Sequence, residues 1–196
     1  MPNIDTTAGP DSKIKYAIHG SDKLHLGCGR HRIENWGNFD MDMDLRESLP
    51  LGDESIRLVF TEHVIEHLHP PEAWRLFKEI RRILIPGGGL RFIFPCVDLI
   101  HERFDTEYGD FVKRKTKIGN SLEAAMEAII CRWNHRAIWT VGSMRSVLTS
   151  LGFYTWESAV GVSQFPEAVG IEGHGKCIGG HANWVESGVV EAVKPR

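Results

Sequence analysis

"KLHLGCGRHR" (residues 23–32) runs an alternating apolar stretch into two glycines separated by one cysteine, and then turns basic. Residues 24–27 have the pattern of a buried strand that stops in a tight turn. A phosphate loop of the G-x-x-x-x-G-K type needs a Lys and a Ser or Thr after its second glycine, and "GCGRHR" supplies neither. A dinucleotide turn carries a third glycine that lets helix and strand pack closely, but Arg32 stands at that position. A strand followed by G-x-G alone still brings backbone N–H groups against a ligand, which suits a nucleoside without a pyrophosphate.

Outward from this turn, "WGNFD" (36–40) and "SIRLVF" (55–60) read as two further strands. "PPEAWRLFKEIRRILIPGG" then reads as a helix. It has Pro at its start, a Gly-rich stop, apolar Ala73, Leu76, Phe77, Ile80, Ile83 and Leu84 at helical spacing, and a charged opposite face. "LRFIFP" (90–95) follows as a strand, so strand, helix, Gly turn and strand form a right-handed crossover with parallel strands.

Residues 122–133 predict a second amphipathic helix capped by Asn120 or Ser121, and Met144, Val147, Leu148 and Leu151 a third, closed by Gly152. "FYTWESAV" (153–160) reads as a strand, 161–182 as a Gly-rich loop and "SGVVEAVKP" (187–195) as the last strand. Residues 1–12 read as a loose arm and "KIKYAIHG" (13–20) as a short helix.

With 196 residues and 42% hydrophobic content, one compact domain over 1–196 is expected. The formal charge of −3 gives no global attraction to nucleic acid or an anionic membrane. Cys28, Cys96, Cys131 and Cys177 stand far apart with no C-x-x-C, which fits a reducing cytoplasm better than a disulfide framework. No stretch approaches the roughly 20 apolar residues of a transmembrane segment, and the N-terminus lacks a signal-peptide core.

Seven ordered stretches carry a family likeness: "LHLGCG" (24–29), "WGNFD" (36–40), "DLRESLP" (44–50), "TEHVIEHL" (61–68), "RRILIPGGGLRFIFP" (81–95), "SLGF" (150–153) and "ESGVVEAVKP" (186–195). Together they resemble the class I S-adenosylmethionine-dependent methyltransferases, within them a small group with LHLGCG and EHxxEHL motifs. The resemblance implies an α/β fold: a three-layer Rossmann-like sheet, mostly parallel with an antiparallel last strand. Only Met41, Asp42 and Met43 separate Asp40 from Asp44, where the family usually fits a helix and a strand, so the third strand is expected to be reduced or missing.

The resemblance further implies the cofactor S-adenosyl-L-methionine, with S-adenosyl-L-homocysteine as product. His25 and the turn Gly27, Cys28 and Gly29 would face its methionine and ribose part, and Asp40 would accept both ribose hydroxyls. Asp44 and Leu45 would meet the adenine, and Thr61, Glu62 and His63 would line the floor beneath the sulfonium.

Methyl transfer is an in-line displacement, so alignment and exclusion of water matter most, with a base for a hydroxyl acceptor. Asp98, His101 and His135 are the candidate bases, His135 being favoured and Asp98 second. Residues 98–135 and 161–182 are the expected acceptor-side insertions. The acceptor is expected to be a small molecule or a glycan, by analogy of fold. A non-catalytic cofactor binder and a nucleic-acid methyltransferase are the alternatives, the latter kept open by "KRKTK" (113–117), which otherwise reads as a solvated helix face. His174, Cys177 and His181, completed by Cys131 or His135, match no structural zinc spacing, so no metal is expected. Glu66 is expected at the surface, and His67 to cap or pack beneath the following helix.

Overall fold

The structure, a computed structural model, describes residues 21–196; the expected arm at 1–12 and helix at 13–20 lie outside them. In chain order the elements are β1 (Lys23–Leu26), β2 (Gly37–Phe39), β3 (Ile56–Glu62), α1 (Pro70–Ile83), β4 (Leu84–Pro95), α2 (Val97–Arg103), α3 (Thr106–Thr116), α4 (Leu122–Cys131), α5 (Val141–Ser150), β5 (Tyr154–Ser158), α6 (His174–Ile178), α7 (Gly180–Glu186) and β6 (Ser187–Val193).

The six strands lie in the order β2-β1-β3-β4-β6-β5. β1, β2, β3 and β4 pair in parallel, whereas β6 runs antiparallel to both β4 and β5. No strand intervenes between Phe39 and Ile56, so the edge beyond β2 is short as expected. The chain leaves β1 in one direction to form β2 and returns to the other side of β1 as β3. This reversal opens a crevice at the carboxyl ends of β1 and β3, where open α/β sheets bind ligands.

Alternation along the strands fixes what each face buries. Leu90, Phe92 and Phe94 of β4 pack with Ala73, Leu76, Phe77 and Ile80 of α1 and with Met144 and Leu148 of α5. On the opposite face Leu58, Phe60, Ile93 and Val189 meet Trp36, Ala168, Phe165 and Ile171. Among the described residues this second layer is built by Ile33 and Trp36 and by the 160–171 segment with its 3₁₀ turn, not by an α-helix. α2, α3, α4 and α7 gather around a satellite core with Ile100, Tyr108, Ala125, Ala128 and Val185.

α1 starts where expected, with Pro70 and Pro71 in its first turn and His69 N–H donating to Glu72 Oε2 at 2.7 Å. It stops at Ile83 and leaves Leu84 to β4, because Pro86 disfavours helical backbone at Ile85. Register with β3 jumps from Ile56↔Leu84 to Leu58↔Gly89, so "IPGG" bulges out of the strand.

The expected loop at 161–182 is instead a 3₁₀ turn (Pro166–Ala168) followed by α6 and the first part of α7. Helices this short, bounded by Gly173 and Gly179, leave too few apolar positions to show a period. Tertiary bonds hold the segment. Buried Arg91 donates to Glu191 Oε1 (2.7 Å), Val162 O (2.7 Å) and Ala159 O (2.9 Å) and pairs with Glu172. No helix of the described residues is long and apolar enough to cross a membrane.

Candidate active site

Two cavities meet at the carboxyl ends of β1 and β3, and both are lined by His63 and His67. The larger, about 770 Å³, is a groove bordered by Gly27, Asp40, Asp44, Leu45 and Arg136. The smaller, about 370 Å³, is bordered by Glu66, Phe111, Lys115, Trp133, His135 and His174.

The groove follows from the glycine turn. Gly27 has φ +69, and a Cβ there would stand 2.2 Å from Val64 Cγ2, so only glycine fits both the backbone and the space. Cys28 N–H donates to Phe39 O at 2.9 Å, which ties the turn to the end of β2 and brings Asp40 into the groove. Asp44 also lines it, but Arg46 grips both its oxygens at 2.8 and 2.7 Å, and these hydrogen bonds pull its carboxyl down to about 2.

Apart from His63, the other residues expected at the cofactor stand behind or beside this wall, and none of them lines either cavity. His25, Cys28 and Thr61 are buried. His25 packs on Phe60, and burial first, then neighbouring His31, pushes its pKa down to about 4, so the ring is neutral. Gly29 sits in the exposed part of the turn. Glu62 accepts from Gly173 N–H at 2.7 Å and so anchors the 161–182 segment, which His31 Nε2 also meets at Ile171 O, 2.6 Å away.

The smaller cavity forms where residues 133–137 strap onto the 3₁₀ turn Ile65–His67. Arg136 N–H and Ala137 N–H both donate to Glu66 O, at 2.7 and 3.1 Å. Trp133 and Asn134 reach this position with φ of +56 and +60, a backbone region costly for side-chain-bearing residues. The strap sets the His135 ring 5.0 Å from that of His67. His135 Nδ1 lies 2.7 Å from Ile129 O; a carbonyl only accepts, so Nδ1 carries the hydrogen and Nε2 holds the free lone pair. His67 Nδ1 donates in the same sense to Asn134 O, over 3.3 Å.

His63 is held with φ +52, its ring stacked on His174 at 3.6 Å and its Nε2 3.1 Å from Ser187 Oγ. Burial, then His174, pushes the His63 pKa down to about 3, which keeps the ring between the two cavities uncharged. His174 Nε2 donates to Glu186 Oε1 at 3.0 Å, and Tyr108 OH to Glu186 Oε2 at 2.8 Å.

Three expectations from sequence are corrected here. Asp98 and His101 are exposed on α2 and line neither cavity; of the candidate bases, the fold brings only His135 to the site. Glu66 is buried at 1% exposure, and burial lifts its carboxyl to about 7. His69, not His67, caps α1, which leaves His67 at both cavities. "TEHVIEHL" carried the signal for Glu66 and His67, but a 3₁₀ turn gives no helical period from which to read their direction. His174 and His181 turn to different acids, Glu186 and Asp105, so the His174, Cys177 and His181 set does not converge.

Residues 22–92, from β1 into β4, match the family model described as a methyltransferase domain. No curated protein matches the chain. A chain of a complex that contains the Haloferax volcanii Trm112 methyltransferase activator superposes with TM-score 0.54 at 13% identity, covering 95% of this chain and 89% of that one. An S-adenosylmethionine-dependent methyltransferase from Archaeoglobus fulgidus gives 0.52 at 13% identity over 94% and 92%. Haemonchus contortus phosphoethanolamine N-methyltransferase 2, in complex with S-adenosylmethionine, gives 0.51 at 13% identity over 95% of this chain and 52% of that one. At these identities the likeness is one of fold.

Proposed function

We propose that this S-adenosylmethionine-dependent methyltransferase of class I fold passes its methyl group to an oxygen or nitrogen of a small-molecule or glycan-type acceptor, held in the smaller cavity. The observation that supports the proposal is the sharing of His63 and His67 by the two cavities: an acceptor held in the smaller one would lie directly against a cofactor in the groove.

In this reading the Gly27 turn packs against the methionine and ribose, and Asp40 takes the ribose hydroxyls with two acceptor oxygens for two donors. Asp44 and Leu45 border the adenine, Asp44 with the lone pairs that Arg46 leaves free. His63 closes the floor beneath the sulfonium. A neutral ring suits that place, because an imidazolium would repel the sulfonium.

The acceptor atom attacks the methyl carbon opposite sulfur; the new bond forms as the carbon–sulfur bond breaks, and sulfur keeps the electron pair in S-adenosylhomocysteine. His135, with Nε2 as its lone-pair nitrogen, is assigned to loss of the acceptor proton. Residues 98–135 and 161–182 serve as the acceptor side of one methyltransferase domain. They supply Phe111, Lys115, Trp133, His135 and His174 to the cavity, which is small enough to take a single ring or end group.

The test is calorimetric titration with S-adenosylhomocysteine, followed by a turnover screen of sugars, phenols and amines. One-to-one binding with product formation on at least one acceptor class is expected. Folded, ligand-free protein that does not bind S-adenosylhomocysteine sinks the proposal.

A further inference from the structure

We infer that Glu66, His67 and His135 form a site for one divalent transition-metal ion of the zinc class in the wall of the smaller cavity. One ligand atom from each residue lies within 4.8 Å of the others, and His67 Nε2 stands 3.9 Å from Glu66 Oε1. Donors around a tetrahedral zinc with bonds of about 2.1 Å sit roughly 3.4 Å apart, so modest side-chain rotation closes the set.

Two independent features point to an ion. The first is Glu66 itself. It is buried, it borders the cavity, and neither carboxylate oxygen has a hydrogen-bond partner among the described residues. The nearest ionisable groups to Glu66 Oε1 are His63 Nδ1 at 3.4 Å and His67 Nε2 at 3.9 Å. A buried carboxylate left in this way is costly unless a cation or a proton fills the place.

The second is the orientation of the two imidazoles. Both turn Nδ1–H onto backbone carbonyls, Ile129 O and Asn134 O, and so leave Nε2 as the lone-pair nitrogen. Metal-binding histidines are oriented in this way by their outer partners. Two imidazoles and one carboxylate with open positions are the donor set of open zinc and iron(II) centres. The neighbouring cluster of His63, His174 and Glu186 differs, because His174 and Tyr108 already occupy the Glu186 oxygens.

The use of such an ion rests on the methyl-transfer reading: it would bind an oxygen-bearing acceptor and lower the pKa of its hydroxyl, the proton leaving to water. His135 then promotes deprotonation by holding the ion and does not take the proton itself.

The full chain is stripped with a chelator and titrated with Zn²⁺ by calorimetry, with S-adenosylhomocysteine titrated separately into the same preparation. One Zn²⁺ per chain at micromolar affinity or tighter is expected. Glu66→Gln and His67→Ala should each weaken it at least 100-fold, while His181→Ala, outside the set, should leave it unchanged. Glu66→Gln preserves shape and His67 is half-exposed, so a wild-type-like cooperative thermal unfolding transition identifies folded variants. Zn²⁺ binding with this variant pattern but without S-adenosylhomocysteine binding would uphold the metal site and remove the methyl-transfer reading. No Zn²⁺ binding in protein that binds S-adenosylhomocysteine, or equal Zn²⁺ affinity in Glu66→Gln, would overturn the site alone.

Discussion

The rings of His63 and His174 stack at 3.6 Å with an interplanar angle of 21°, although 111 residues separate them. The contact fixes α6 against the loop that leaves β3 and so fastens the 161–182 segment to the site. His174→Ala should remove the stack and one of the two hydrogen bonds to Glu186, lowering stability by about 1–3 kcal/mol. Denaturant unfolding checks this. S-adenosylhomocysteine affinity should change little, because His174 borders only the smaller cavity.

Asp40→Ala should weaken S-adenosylhomocysteine binding at least tenfold by removing two charge-assisted hydrogen bonds, each worth about 1.5–3 kcal/mol. Asp44→Asn should cost less, since Arg46 already holds the Asp44 carboxylate. Calorimetry on both variants ranks them, and wild-type affinity in Asp40→Ala would refute the ribose assignment.

Gly27→Ala should destabilise the fold by about 2–4 kcal/mol, combining a left-handed backbone with overpacking. Only the second part depends on Val64. In a Val64→Ala background the same substitution should therefore cost measurably less, and a double-mutant cycle in denaturant reads the difference.

His25 makes stability depend on pH. Its folded pKa, about 4, lies below the ordinary 6.5, so between these values the unfolded chain binds more protons than the native one. Stability is then fully present above about pH 6.5 and falls as pH drops toward 4, by up to about 3 kcal/mol. His25→Phe should flatten that part of the profile, and unfolding free energies measured across the window show whether it does.

Arg91→Met should destabilise by about 3–5 kcal/mol, because it leaves Glu191 and Glu172 buried without their cation. Limited proteolysis should show cleavage within 159–173, the segment that Arg91 holds to the sheet.

The parallel strands, α1 and the missing third strand were legible along the chain, because each rests on local chemistry. The alternation in "LHLG", the Pro start and apolar spacing of α1, and the three residues between Asp40 and Asp44 act over short distances. The family resemblance carried by these short motifs pointed to Gly27, Asp40, Asp44 and Leu45, and all four border the groove. It also drew in His25, Cys28, Gly29, Thr61 and Glu62, since adjacency along a strand does not say which side chain reaches the crevice.

Tertiary structure decided the smaller cavity. The burial of Glu66, the place of His67 and the choice of His135 over Asp98 depend on the strap of residues 133–137 bonding to Glu66 O, a contact between segments about 70 residues apart. The short helices at 174–186 are likewise held by distant partners, His63 against His174 and Tyr108 on Glu186, and left-handed Asn134 by His67. Sequence by itself determined the sheet and the glycine turn through local propensity and periodicity. The cavity walls came from long-range packing and hydrogen bonding, whose partners no local pattern specifies.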